Sequence, residues 1–430
     1  MKTIWLCFFG FVALAPGQKL PAMLEDRRLD NTLVRLKTDD RILYLQKAVA
    51  AQPDNLHAKV LLAGANVQKM RETTDFGYIE RASKLLDSVL TADAKNYEAR
   101  RLRTEIQLEY HQFAKAAASS RELIAMNASD PWNWGTLGDA LIEMGDYEQG
   151  ADSFQKMMDL RPDLSSYNRA AHYRFLTNDS KGAAEVMQHA ISAGSSSPEN
   201  VAWCLVELGH IYFKSGQLLA AENSYRKALM YFPGSHAAQA GVGRVQAAQG
   251  NLDDAINSYT KARTATPMPD YAAALGDLYE AKGMKKEAAQ QAQFVDAIYQ
   301  LMRANKEKAN RNLSLIYSDH NRNLGAALEL AQAELDFRKD IYTYDALAWA
   351  LYKHKRYDEA EAASMKARKL ETPEPAFYYH AGMIAAAQNK TEEARTDLKK
   401  ALALNPKFDL VQSRLAAEKL QELAAAQAKH

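Results

Sequence analysis

The sequence repeats itself at intervals of 34 residues over most of its length, and this period limits the possible folds more than any other feature. Small, large and helix-ending residues return at matching offsets in successive units. The best-preserved units span residues 131–164, 202–235, 236–268, 269–304, 341–374 and 375–408. A fixed period of this length predicts a solenoid, in which each repeat packs mainly against its neighbours.

Each unit has the pattern of two helices joined by a turn. In the unit 131–164, Gly138 and Phe154 provide a small and a large residue for close helix packing. Gly145 can adopt the left-handed conformation that ends a first helix, and Pro162 stops a second one. No segment alternates apolar and polar residues for long enough to indicate a β-sheet. The sequence therefore predicts an all-α protein.

With these residues the chain resembles the tetratricopeptide repeat family over residues 25–408. The resemblance implies a right-handed α-solenoid, a superhelix of about ten helix–turn–helix repeats. The period is stretched near residues 68–74 and blurred over residues 295–340, so bends are expected there. Residues 409–430 place apolar side chains on one face of a predicted helix, as expected of the cap that ends a solenoid.

The resemblance also implies that set positions of each first helix face a concave groove. The predicted partner-binding residues are Trp132, Asp139, Trp203, His210, Phe213, Arg244, Asp277, Tyr342, Asp345, Trp349, Tyr352 and Tyr379. Aromatic side chains are enriched at protein interfaces, which favours recognition of a protein or peptide segment. The alternative is that these aromatic residues pack against adjacent repeats or against the termini of the array. The basic residues with which some members of the family grip acidic C-termini are missing at the matching positions.

The first residues are typical of a secretory signal peptide. Lys2 precedes an apolar run over residues 4–14, and the small residues Ala13 and Ala15 suit cleavage after residue 15. Eleven apolar residues are too few for a transmembrane helix. The segment 1–15 therefore predicts export to a periplasm or to the cell exterior. An uncleaved anchor or a wrongly assigned start are the alternatives.

Charge and cysteine content exclude several classes of function. Removal of residues 1–15 leaves 53 basic and 53 acidic residues, whereas a nucleic-acid-binding protein needs a basic face. The same removal leaves Cys204 alone, so no intramolecular disulfide can form, and packing is its predicted role. The histidines are never three or four residues apart, so no helical zinc pair is expected. We predict no metal, no cofactor and no catalytic residues.

Three hypotheses about function follow from the sequence. The first is a non-enzymatic scaffold or adaptor that binds a protein or peptide segment in its groove, within an exported or envelope-associated complex. The second is a structural repeat module that associates with itself. The third is an enzyme with a site in the groove. The sequence does not name the partner.

Overall fold

The computed structural model describes residues 33, 36–195, 197–305, 307 and 309–427. These residues contain 22 α-helices and no β-strand, which confirms the predicted all-α fold. They form two compact units, which divide between Arg103 and Thr104. The predicted signal peptide, residues 1–15, lies outside the described residues.

The first unit contains three complete helices and the beginning of a fourth. These are α1 (Thr38–Ala51), α2 (Leu56–Thr73), α3 (Gly77–Ala92) and α4 (Tyr97–Glu109). The extra residues near 68–74 lengthen α2 to 18 residues instead of forming a loop. Leu45, Ile79 and Leu86 are fully buried between these helices.

The second unit continues as a series of antiparallel helix pairs. Its helices are α5 (Phe113–Met126), α6 (Pro131–Glu143), α7 (Tyr147–Leu160), α8 (Leu164–Leu176), α9 (Ser180–Ala193), α10 (Pro198–Lys214), α11 (Leu218–Tyr231), α12 (His236–Ala248), α13 (Leu252–Ala265), α14 (Pro269–Ala281), α15 (Lys285–Ala304), α16 (Arg311–Asp319), α17 (Leu324–Glu334), α18 (Ile341–Lys353), α19 (Tyr357–Ala367), α20 (Pro375–Ala387), α21 (Thr391–Leu404) and α22 (Gln412–Gln427). The irregular stretch 295–340 corresponds to the 20-residue α15 and to the short helices α16 and α17. Helix α10 begins at Pro198, four residues before the start of the predicted unit 202–235.

A left-handed backbone turn follows the first helix of every pair. Its φ angle lies between 49° and 84° at ten positions along the chain. These positions are Thr74, His111, Gly145, Asn178, Gly216, Gly250, Gly283, Asn321, Lys355 and Asn389. Glycine adopts this conformation without steric cost, and asparagine tolerates it better than most residues. The turn therefore recurs even in repeats whose sequence pattern is degenerate.

Close approach of the two helices of a pair depends on the small residues of the repeat. The ring of Tyr225 lies between Gly209 of the same repeat and Gly241 of the next. A β-carbon added at Gly241 would come within 2.5 Å of this ring. Gly243 and Tyr259 are paired in the same way in the following repeat. The tyrosine rings thus fill space that a β-carbon would occupy, as expected from the interlocking of small and large residues.

Repeats of the second unit also touch at long range, along a line of contacts that we call the seam. The seam joins the turns after α6, α8 and α10 to the loops that precede α18, α20 and α22. Main-chain NH groups of Lys339 and Ile341 donate to the Glu143 carbonyl and to Tyr147 Oη, both at 2.9 Å. The Thr372 hydroxyl donates to the Leu176 carbonyl at 2.5 Å, 196 residues earlier in sequence. Roughly six repeats of 34 residues separate the two sides of the seam.

An apolar cluster supports the seam. Ile142, Tyr147 and Leu176 come from its N-terminal side, and Ile341 and Phe377 from its C-terminal side. All five side chains are buried, so the seam stabilises the second unit by apolar burial as well as by hydrogen bonds.

Candidate partner-binding site

A cavity of about 210 Å³ lies beside the seam, and we call it the inner pocket. Its walls are side chains of α8, α9 and α10, with one residue of α18. They are Asn168, His172, Phe175, Met187, Trp203, Glu207, His210, Ile211, Lys214 and Tyr342. Three of them, Trp203, His210 and Tyr342, belong to the predicted partner-binding residues.

Helix periodicity explains why α10 provides a wall of the inner pocket. Trp203, Glu207, His210 and Lys214 follow one another at intervals of four, three and four residues, and so share one face of the helix. Residues on the other faces, such as Cys204, are buried in the core. Burial raises the pKa of the Cys204 thiol to about 12, which makes it an unreactive packing residue.

Lys214 joins the inner pocket to the seam. Its ammonium group lies 2.7 Å from a Glu374 carboxylate oxygen and over the rings of Phe175 and Tyr342, at 5.0 and 5.5 Å from the ring centroids. Burial alone would lower the pKa of Lys214, but the carboxylate of Glu374 raises it above its usual value. Lys214 is therefore a cation whose charge is balanced within the protein.

The pKa values of the remaining ionisable groups of the inner pocket are shifted in the direction that favours their neutral forms. Burial lowers the pKa of His172 to about 4, and it lowers that of His210 well below the usual value. His210 Nδ1 is hydrogen-bonded to Tyr225 Oη at 2.8 Å. Burial also raises the pKa of Glu207, against the attraction of Lys214. Within the described part of the chain, no donor is hydrogen-bonded to the Glu207 carboxylate.

Trp203 provides the main exposed apolar surface of the inner pocket. It is 44% exposed, whereas Phe175 and Met187 on the opposite wall are buried. A large aromatic side chain that remains accessible beside a cavity is typical of a binding site.

Other predicted residues are engaged with neighbouring repeats. Asp139 receives two hydrogen bonds from Arg169 Nε, at 2.9 and 3.0 Å, and one from Nη2 at 2.6 Å. Phe213 is buried, and the Arg244 guanidinium lies 5.6 Å from its ring centroid. These contacts join consecutive first helices, and only Arg244 among these residues is exposed.

Asp277 forms an ion pair with His320, which is not among the predicted partner-binding residues. His320 Nε2 lies 2.9 Å from Asp277 Oδ1, and His320 Nδ1 lies 2.7 Å from the Ile316 carbonyl oxygen. Burial would lower the pKa of His320, but its hydrogen bond to Asp277 and the charge of that carboxylate raise it to about 9. The imidazole is therefore protonated at neutral pH and donates from both nitrogens.

The predicted residues nearest to the C-terminus are packed together. Trp349 and Tyr379 are each 2% exposed, with their ring centroids 5.6 Å apart. Tyr352 is half-buried and stacks on Trp349 at 4.7 Å. Trp349 Nε1 donates to Asp319 Oδ1 at 2.7 Å. In this region the aromatic side chains pack against one another and against adjacent repeats, and do not form an exposed groove surface.

Two further predicted residues lie apart from the inner pocket. Asp345 is buried, and its two carboxylate oxygens are each 3.0 Å from His380 Nδ1. Trp132 is half-buried in the first turn of α6.

The charged residues of the inner pocket are not among the predicted partner-binding residues. Glu207 and Lys214 lie four and eleven residues after Trp203, so helical spacing alone could have placed them on the same face. Glu374 could not have been found in this way, because it reaches Lys214 across the seam.

Three models of the tetratricopeptide repeat match the chain. They match residues 133–164, 206–269 and 375–408. The chain contains tetratricopeptide repeats in these three segments. Stacked repeats of this kind create extended surfaces for other proteins, so the fold is that of a protein-interaction scaffold.

Several solved structures are similar to this chain at low sequence identity. PilW, a widely conserved type IV pilus biogenesis factor, has 15% identity and a TM-score of 0.42, with 47% of this chain and 94% of that chain covered. Pseudomonas aeruginosa pilF has 13% identity and a TM-score of 0.41, with 53% and 97% covered. Yeast Tom70 has 13% identity and a TM-score of 0.36, with 95% and 96% covered.

No curated protein matches the chain. None of the helices among the described residues is both long enough and apolar enough to span a membrane.

Proposed function

We propose that this tetratricopeptide repeat protein is a non-enzymatic scaffold that binds a protein or peptide segment at the inner pocket. One observation carries the proposal: Trp203 is 44% exposed beside a cavity of about 210 Å³. Buried aromatic anchors in pockets supply most of the energy of many interfaces. A side chain of the bound segment that enters the cavity would cover Trp203.

The other predicted residues support this choice of site. Of the twelve, only Trp203 and Arg244 are exposed. Arg244 is a long cation that lies over Phe213, whereas Trp203 offers a large rigid surface with little side-chain entropy to lose on binding.

A displayed library of random peptides, selected on the full chain, tests the proposal. We expect selected peptides to lose at least about tenfold in affinity for Trp203→Ala, since hot-spot truncations cost about 2 kcal/mol or more. Leu219→Ala is the matched control, because Leu219 is 71% exposed on α11 and does not line the inner pocket. Peptides that bind Trp203→Ala as tightly as the unchanged chain would contradict the proposal.

The proposal includes export to a periplasm or the cell exterior, and a role in an envelope-associated or secreted complex. Its support is the sequence of residues 1–15, with Lys2, the apolar run and the small residues Ala13 and Ala15. Cell fractionation with N-terminal sequencing tests it, and we expect a mature chain that begins at Pro16. A cytoplasmic protein that retains residues 1–15 would contradict export.

A further inference from the structure

We infer that the inner pocket accepts a basic side chain, lysine or arginine, of the bound segment. This inference rests on the proposed function and specifies the chemistry of the same site. Glu207 is the residue that would receive the cation.

The balance of charge in the inner pocket favours a cation. Lys214 and Glu374 neutralise each other at 2.7 Å across the seam. His172 and His210 are neutral at pH 7, because burial lowers the pKa of both. The carboxyl group of Glu207 remains, and no donor among the described residues is hydrogen-bonded to it. Burial raises the pKa of this carboxyl group, and a bound cation would oppose that shift and favour its ionised form. A bound cation would supply the partner that this carboxylate lacks.

The apolar part of the inner pocket suits the rest of a basic side chain. Trp203 presents exposed aromatic surface against which an alkyl stem can pack and a cation can lie. Phe175 and Tyr342, over which Lys214 already lies, complete the apolar walls. The cavity of about 210 Å³ also has sufficient space. A cavity of about 150 Å³ already holds benzene, which has about as many non-hydrogen atoms as a lysine side chain.

Acidic and purely apolar side chains fit less well. An acidic group would meet Glu207, while the charge of Lys214 is already satisfied by Glu374. An apolar group would remove water from Glu207 without replacing the lost hydrogen bonds, and a buried carboxylate without a partner is costly. A basic side chain satisfies both the aromatic surface and the carboxylate, and its charge makes the hydrogen bond stronger than one from a neutral donor.

The test compares random-peptide libraries selected on the unchanged chain, on Glu207→Gln and on Glu185→Gln. Glu185 is the matched control, because it is exposed on α9 and does not line the inner pocket. We expect peptides from the unchanged chain and from Glu185→Gln to carry lysine or arginine at one fixed position. We expect Glu207→Gln to lose this preference.

A second measurement uses one selected peptide and its analogue with norleucine in place of the basic residue. Loss of the cation or of the Glu207 carboxylate should each weaken binding by about tenfold or more. The two losses should not add, so Glu207→Gln should bind both peptides with similar affinity. Circular dichroism confirms that the variant is folded.

The outcomes separate this inference from the proposed function. Peptides that depend on Trp203 but show no preference for basic residues overturn the inference and leave the proposed function in place. Additive losses in the second measurement overturn it as well. A library without any Trp203-dependent peptide contradicts the proposed function and the inference with it.

Discussion

The side chain of Asn405 is hydrogen-bonded to the main chain of Phe213, 192 residues earlier in sequence. Asn405 Nδ2 donates to the Phe213 carbonyl oxygen at 2.7 Å, and Asn405 is 1% exposed. Phe213 precedes Lys214 in α10, and the Lys214 ammonium contacts Glu374 across the seam. The hydrogen bond therefore helps to hold one wall of the inner pocket in place.

Asn405→Ala should destabilise the protein by about 1 kcal/mol, because it removes a buried hydrogen bond while the main-chain NH of Gly216 still donates to the Phe213 carbonyl. The midpoint of urea unfolding measures the change. Asn223→Ala is the control: Asn223 is exposed on α11, and alanine is the better helix former, so its midpoint should not fall. Equal midpoints for Asn405→Ala and the unchanged chain would show that the seam contributes nothing at this position.

Gly145 provides a second test of the seam. Gly145 and Gly250 have φ angles of 80° and 84°, so alanine at either position should cost about 1–2 kcal/mol of backbone strain. An added Cβ at Gly145 would lie 2.5 Å from the Lys339 carbonyl oxygen, whereas at Gly250 it would meet nothing within 4 Å. Gly145→Ala should therefore destabilise the protein by about 1 kcal/mol or more beyond Gly250→Ala. Equal losses in urea unfolding would contradict this.

The turns show how far the fold can be predicted from the sequence. Gly145, Gly216 and Gly250 identify their turns, because glycine is the residue best suited to positive φ. The same turn at His111 and Lys355 carries no such signal. There, packing of the surrounding helices stabilises a conformation that the residue itself disfavours. Periodicity therefore identifies the repeats, but the left-handed turn at a position without glycine or asparagine depends on tertiary contacts, even in the well-preserved unit 341–374.

The inner pocket was predictable only in part. The first-helix position of Trp203 was sufficient to propose it as a binding residue. Trp349 was predicted from the same kind of first-helix position, but it is 2% exposed and stacks on Tyr352. What separates the two is their neighbours from other repeats. Tyr342 reaches the inner pocket because the seam joins repeats that are far apart in sequence, and a 34-residue period contains no information about such contacts.

Trp349→Ala should destabilise the protein by about 3–5 kcal/mol, the usual cost of removing a buried aromatic side chain. The hydrogen bond from its Nε1 to Asp319 would also be lost. Trp203→Ala should change the free energy of unfolding far less, by about 0.5 kcal/mol, because Trp203 is 44% exposed. Thermal unfolding followed by circular dichroism compares the two variants. Similar losses would mean that Trp203 has a structural role and would weaken its assignment as the binding residue.

The ion pair between Asp277 and His320 should make stability depend on pH. The folded-state pKa of His320 is raised to about 9, above the value of about 6.5 expected in the unfolded chain. The stabilisation is therefore complete below about pH 6.5 and is lost as the pH rises through about 9. Asp277→Asn should lower the pKa of His320, which a titration followed by nuclear magnetic resonance measures directly. The difference in unfolding midpoint between the unchanged chain and Asp277→Asn should shrink from pH 6 to pH 10. A constant difference over that range would mean that protonation of the His320 imidazole does not stabilise the fold.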